Sequence, residues 1–302
     1  MASHAGRTRR LVILSLLGSV VIVLGFFSAA GFAISYTETI EERFPLHPGE
    51  RLSVQGLNGG ITYERWPGDE VVIRATKTVR WALPGLARWH ARQVHVRVTR
   101  DDRGVSVTTV APRWVWGWNT EIALAIWVPE GWSGTIHLQT SNGPIHAEDV
   151  QGQAILRTSN GPVRVTRHVG ELDIRTSNGS VRLSQVDGVL QVRTSNGPIS
   201  IDGARLREAG RLQTSNGAVY LRARLDAQAQ YQVETSNGRI DLALIEPDVA
   251  LDLRTSNGSI RLDTPVLTSD MSRNRLVGQI GDGSARLVAR TSNGSITLSA
   301  AR

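Results

Sequence analysis

The sequence predicts an all-β protein: a single-chain β-solenoid of about 18–21 residues per coil, behind one N-terminal transmembrane helix. Three observations lead there. Thr-Ser-Asn-Gly occurs eight times, starting at Thr140, Thr158, Thr176, Thr194, Thr214, Thr235, Thr255 and Thr291, at intervals of 18, 18, 18, 20, 21, 20 and 36 residues. A fixed period of that size is the mark of a repeat architecture. Aliphatic residues alternate with polar ones on both sides of each copy, and an uncharged run near the N terminus is long enough to cross a bilayer.

The N-terminal elements come first. Arg7, Arg9 and Arg10 precede an uncharged run from Leu11 to Tyr36, and Glu38, Glu41 and Glu42 follow it. About 20 apolar residues cross a hydrocarbon core. Basic residues before the span and acids after it place residues 1–10 in the cytoplasm as a basic tail, the anchor at 11–36 and the remainder outside the cytoplasmic membrane. A cleaved signal peptide is the alternative, because Ala29, Ala30 and Ala33 offer small residues at a cleavage site. Either reading exports the repeats.

Composition bounds the chemistry. The chain has 302 residues and no Cys, which excludes a disulfide framework, a thiolate metal site and a Cys nucleophile. Beyond residue 36 it carries 31 basic and 27 acidic side chains, too mild and too mixed a balance for a nucleic-acid binder.

Residues 37–134 are predicted to form N-terminal Trp-rich capping coils. All eight Trp lie between Trp66 and Trp132. Leu57-Asn58-Gly59, with strands on either side, reads as a worn first copy of the repeat. Terminal coils of a solenoid expose their core unless capped, so atypical sequence is expected here. Trp114, Trp116 and Trp118 would share one strand face and suit a cap, or would rest on the membrane interface beside the anchor.

Residues 135–302 form the regular array. Counting from each Thr, positions minus four and minus two are mostly apolar (Leu172 and Ile174, Leu190 and Val192), as are plus five and plus seven (Val163 and Val165, Val181 and Leu183). This is period-two alternation, so each copy is two strands with one buried face apiece. The phase slips at Ser-Asn-Gly, where Asn and Gly tolerate the positive φ that a corner needs. As a hairpin, Asn-Gly would be a type I′ turn and the array a wide antiparallel sheet. As a solenoid corner it closes each coil over about four aliphatic side chains, at roughly 1.5–3 kcal/mol apiece before chain entropy. Corners stacked about 4.8 Å apart then let the Asn amides of Asn142, Asn160, Asn178, Asn196, Asn216, Asn237, Asn257 and Asn293 bond up and down a ladder. A hairpin gives no reason to repeat Thr and Ser as well. Longer periods place their insertions opposite the corner, at Arg205 to Gly210 and Leu225 to Gln230. Residues 264–283 read as a degenerate coil with a loop.

Arg fills position minus one at Arg157, Arg175, Arg193, Arg254 and Arg290. In a solenoid the first three stack as a ladder of like charge, with Arg164 and Arg182 as a shorter second row. Such rows invite an anionic partner, whether a polysaccharide, a teichoic-type polymer or lipid phosphate. The plain alternative is a solvated face partly neutralised by Asp173, Glu171 and Asp187. The seven His are scattered, no acid pair is marked out for acid–base work, and no cofactor, metal site or catalytic residue is expected.

From Arg51 to Arg302 the chain resembles the bacterial DUF4097 β-strand-repeat family of candidate adhesins, and more distantly the autotransporter-adhesin head domain. The residues that carry this are Val128-Pro-Glu-Gly131, Leu138-Gln-Thr-Ser-Asn-Gly-Pro-Ile145 with its later copies, and Leu52-Ser-Val54 with Asn58-Gly-Gly-Ile61. The resemblance implies a parallel, right-handed β-helix, often behind one membrane helix, in a cell-envelope setting, and no enzyme activity. The expected function is a membrane-anchored extracytoplasmic solenoid with a structural, adhesive or envelope-binding role. Its partners are the cytoplasmic membrane and an anionic envelope polysaccharide or an envelope protein. A polysaccharide-active enzyme on a β-helix and an accessory factor of an envelope-stress system are the alternatives.

Overall fold

The computed structural model describes residues 26–30, 33–81, 89, 91–110 and 120–301. Its strands are joined in one continuous, mostly parallel array. Ile145–Arg157, Val163–Arg175 and Val181–Arg193 lie side by side, parallel and offset by one repeat, so that Val163 faces Val181 and Arg175 faces Arg193. The tetrapeptide is therefore a solenoid corner, as predicted, and not a hairpin turn. Each strand bends at its middle into two arms. Val163 and Val165 point inward from one arm and Leu172 and Ile174 from the other, all buried. Stacked aliphatics of this kind form one core from Phe44 to Leu298.

The corner itself corrects the expected backbone. Positive φ falls at the opposite bend, at Asp149, Arg167 and Gln185 (φ 55, 56 and 55°). The corner glycines have another role. A Cβ at Gly179 would lie 1.8 Å from the carbonyl oxygen of Gly161 in the coil before it, so only glycine allows coils to approach this closely. Hydrogen bonds tie the corner to the neighbouring coil and close it on itself. The N–H groups of Ser159 and Asn160 donate to the Ser141 carbonyl at 3.2 and 3.0 Å, and the Thr158 hydroxyl donates to the Gly143 carbonyl at 3.0 Å. The Gly161 N–H donates back to Thr158 Oγ1 at 3.2 Å. Thr and Gly are thus required by the buried part of the corner, where an unpaired polar group is costly, while Ser contributes its backbone groups to these bonds. The insertions sit at the bend as expected, where strands break between Leu206 and Ala209 and between Leu225 and Gln230.

Spatial order departs from chain order at both ends. The Asn142 side chain donates to Asn58, and strand Arg51–Gln55 pairs with Gly134–Gln139 on one side and Gly104–Val110 on the other. The worn first copy is therefore the inner coil, and the later segment formed by Gly104–Val110 and Thr120–Pro129 lies outside it. At the other end, Gln230–Thr235 pairs with Ala285–Thr291, which pairs in turn with Val249–Thr255. The last coil in the chain, at Asn293, is inserted between the coils of Asn237 and Asn257.

Antiparallel strands cover the outermost coils. Val71–Trp81 and Ala33–Phe44 extend one arm at the N-terminal side, and His95–Asp101 extends the other. Residues 264–283 are not a degenerate coil: Arg275–Ile280 runs antiparallel to Val249–Thr255, and Leu267–Met271 runs antiparallel to Arg275–Ile280. The Trp114, Trp116 and Trp118 trio lies outside the described residues.

The anchor predicted at 11–36 is corrected in its second part. Phe26–Ala30 and Ala33–Phe44 are strands, and among the described residues no helix is long and apolar enough to cross a membrane. Ala33–Phe44 keeps an unbroken register with Val71–Trp81 from Ile34 opposite Trp81 to Phe44 opposite Val71, and Tyr36 is buried near Val79 and Ala91. Strand pairing of that length satisfies the same backbone groups a helix would. Residues 1–25 lie outside the described residues.

Candidate functional site

The corner and its preceding residue build the most distinctive surface of the molecule. Each strand that enters a corner carries position minus one at or next to its end, with a side chain that alternates outward after a buried aliphatic residue such as Leu156, Ile174 or Val192. Parallel pairing in register places Gln55, Gln139, Arg157, Arg175, Arg193, Gln213 and Glu234 in one row, one residue per coil. Adjacent strands are about 4.8 Å apart, so the three guanidinium stems rise from positions spaced at that interval.

Arg157, Arg175 and Arg193 line one open groove of about 340 Å³, with Gln139 and the Thr and Ser side chains of the neighbouring corners. No carboxylate lines it. The three cations differ in their ties. Arg175 bonds Asp173 on its own strand at 3.2 Å, and Arg193 bonds Gln213 Oε1 at 2.8 Å. Arg157 has its Nε buried without a hydrogen-bond acceptor. Beside it, His137 has a pKa held below the ordinary imidazole value, first by burial and then by the nearby charges of Arg157 and Arg51. The groove is electropositive, with three Arg side chains among otherwise neutral polar groups.

The other predicted residues fall elsewhere. Arg164 and Arg182 do face each other in register, but on the arm that leaves the corner, and neither lines the groove. Arg254 and Arg290 are neighbours at the far end of the row, beyond Glu234. The predicted Asn ladder is continuous. Asn142, Asn160, Asn178, Asn196, Asn216, Asn237, Asn293 and Asn257 each donate one amide hydrogen to the Asn before them in the stack, over 2.6–2.8 Å. Asn58 is an additional rung. Sequence reasoning missed Gln139 and the hydroxyls of Ser141, Ser159, Ser177 and Ser195 as lining groups. The signal was present, since Gln139 holds position minus one and Ser recurs at plus one.

On the bend edge the charges are paired between coils. Arg167 bonds Asp149 at 2.6 Å and also reaches Glu148, and these contacts hold the Asp149 carboxyl below its usual range. Arg207 bonds Asp187, and Arg205 bonds Asp226 at 2.7 Å. That edge is a neutralised, solvated face.

No curated protein matches the chain. Solved structures similar to it over most of its length include the following three. One is a candidate cell-adhesion protein of Clostridium sporogenes, 12% identical, covering 87% of this chain and 100% of that one with a TM-score of 0.31. The others are candidate adhesins of Bacteroides fragilis (13%, 86% and 96%, TM-score 0.28) and of Parabacteroides distasonis (10%, 86% and 97%, TM-score 0.41). The Toastrack DUF4097 family model matches residues 132–299, more than half of the sequence and nearly all of the regular stack. The chain belongs to the Toastrack DUF4097 family.

Proposed function

We propose that this protein is an exported β-solenoid, held at the cytoplasmic membrane by its N-terminal apolar segment, that binds an anionic envelope polymer along its corner groove. The observation that carries the reading is the groove itself: three stacked Arg, a hydroxyl-rich lining and no carboxylate. Guanidinium groups recognise carboxylate and phosphate oxygens with paired hydrogen bonds, and hydroxyls complement those of a sugar. A linear groove along a stack suits a repeating polymer better than a small molecule. The role is adhesive or structural, with no catalysis.

The test is retention of the full-length protein, in detergent, on immobilised anionic envelope polymers. Arg175→Glu with Arg193→Glu is expected to lower retention at least tenfold without changing the melting temperature by more than a few degrees. Unchanged retention rejects the groove.

A second reading of the N terminus has its own support. With Phe26–Ala30 paired to the following strand, the uncharged segment left before it, 11–25, has the length of a signal-peptide core. Carbonate extraction of membranes and N-terminal sequencing separate the two: an anchored protein stays in the pellet, and a processed one is released and begins near Ala30 or Ala33.

A further inference from the structure

We infer that the groove takes a linear polysaccharide bearing one carboxylate on every sugar, laid extended along the stack axis, with three consecutive uronate residues matched to Arg157, Arg175 and Arg193. The inference rests on the proposed polymer-binding function and names its ligand.

The row is bounded, and its boundaries are chemical. Gln139 precedes Arg157 and Gln213 follows Arg193 in the register, so the run of cations is three coils long with a neutral amide at each end. One coil further on stands Glu234, paired with Arg211, so the row offers no cation to a polyanion that would continue there. At one neutral end Gln139 lines the groove and can bond a sugar hydroxyl.

Spacing selects the polymer. One coil advances about 4.8 Å along the axis, close to the length of one extended sugar residue. A uronate on every residue then supplies one carboxylate per coil. Because successive sugars of an extended chain turn to different sides, the long guanidinium stems of Arg157, Arg175 and Arg193 reach to either side of the chain to meet them. Inorganic polyphosphate carries charges closer together than a coil, and a polyol phosphate carries them further apart, so either falls out of step within three coils. The corner hydroxyls of Ser141, Ser159, Ser177 and Ser195 line the same groove with the same one-per-coil spacing, which suits a ligand with repeating hydroxyls. The existing ties yield to it: Arg193 exchanges its bonds to the neutral Gln213 Oε1 for bonds to a carboxylate. Arg175 is held to Asp173 only by an exposed pair at 3.2 Å, of the kind that contributes little and exchanges readily, and Arg157 Nε has no acceptor to give up.

The experiment is a calorimetric titration of the full-length protein in detergent with homogeneous oligouronates of one to six residues. Inorganic polyphosphate and a polyol phosphate of equal charge serve as comparison ligands. Affinity is expected to rise roughly tenfold with each residue up to three, as each adds a charge-assisted pair, and then to level off. Arg193→Gln is expected to move the plateau to two residues, whereas Arg239→Gln, outside the row, leaves it at three. If affinity climbs steadily through six residues, or if the phosphate polymers bind as tightly as the trimer, the uronate assignment is wrong while polymer binding stands. If none of the polymers binds, the proposed function fails with it.

Discussion

The middle of the stack and its two ends solve the same problem differently. Between Asn142 and Asn237 each coil lies on the coil before it in the chain, and every corner repeats the same set of hydrogen bonds. At both ends the chain's own terminal coil, Asn58 or Asn293, is tucked one level inward, and a neighbouring segment forms the outermost coil. The last coil of a stack has a neighbour on one side only. Tucking gives each terminal coil two neighbours. The outermost coil is then held by chain at both of its ends and continued by antiparallel strands, which cover the exposed edge. What the difference teaches is that repetition builds a solenoid but does not close one.

The largest expected effect tests the tuck directly. Ending the chain after Ser284 deletes the inner Asn293 coil and should remove amide-exchange protection from Val249–Thr255 and Ile260–Leu262, while Val163–Arg175 and Val181–Arg193 stay protected. Retained protection at Val249–Thr255 would mean that this coil re-docks on the Asn237 coil, and that the insertion is incidental to stability.

A smaller effect sharpens the contrast within the core. His168 is fully buried in a ladder position that Val150 and Val186 occupy in the adjacent coils. Burial lowers its pKa below the ordinary imidazole value. The unfolded chain therefore takes up a proton first as pH falls. The folded state loses stability from the unfolded imidazole pKa, about 6.5, downward to the lowered folded value. His168→Val should raise stability at pH 7 by about 1 kcal/mol and flatten the loss between pH 7 and 5, read from denaturant melts. An unchanged pH slope would assign it to other groups, His137 first.

The smallest effect compares a middle rung with an end rung. Asn178 makes two ladder bonds, to Asn160 and from Asn196, whereas Asn257 makes one, to Asn293. At about 1 kcal/mol or less per exposed bond, Asn178→Ala should cost roughly twice what Asn257→Ala costs in the same melts. Equal costs would show that the ladder contributes register and little stability.

Much of the candidate site was legible before any coordinates. The triplet at Arg157, Arg175 and Arg193 follows from position minus one and the 18-residue interval, since parallel strands in register place equal positions side by side. Arg164 and Arg182 form the shorter second row expected of them, and only the structure shows that this row stands apart from the groove, because position alone does not say which surfaces a corner joins. The corner glycines were read through φ when the controlling fact is the approach of Gly179 to Gly161, a contact between residues one coil apart. The uncharged run extends to Tyr36 in the sequence, and an apolar run carries no sign of a strand waiting to pair with it.

By itself the sequence determined the coil: its length, its two inward faces and the chemistry of its corner, since these depend on neighbours within one repeat or on its copies. The tertiary structure alone decided which coils adjoin at the ends, where the strands of 26–44 lie and how the core is covered. The physical reason is that a coil's open edge presents backbone N–H and C=O groups that are nearly the same in every coil. Any parallel strand in matching register can occupy such an edge, so the choice is made by packing and chain connection across the whole stack.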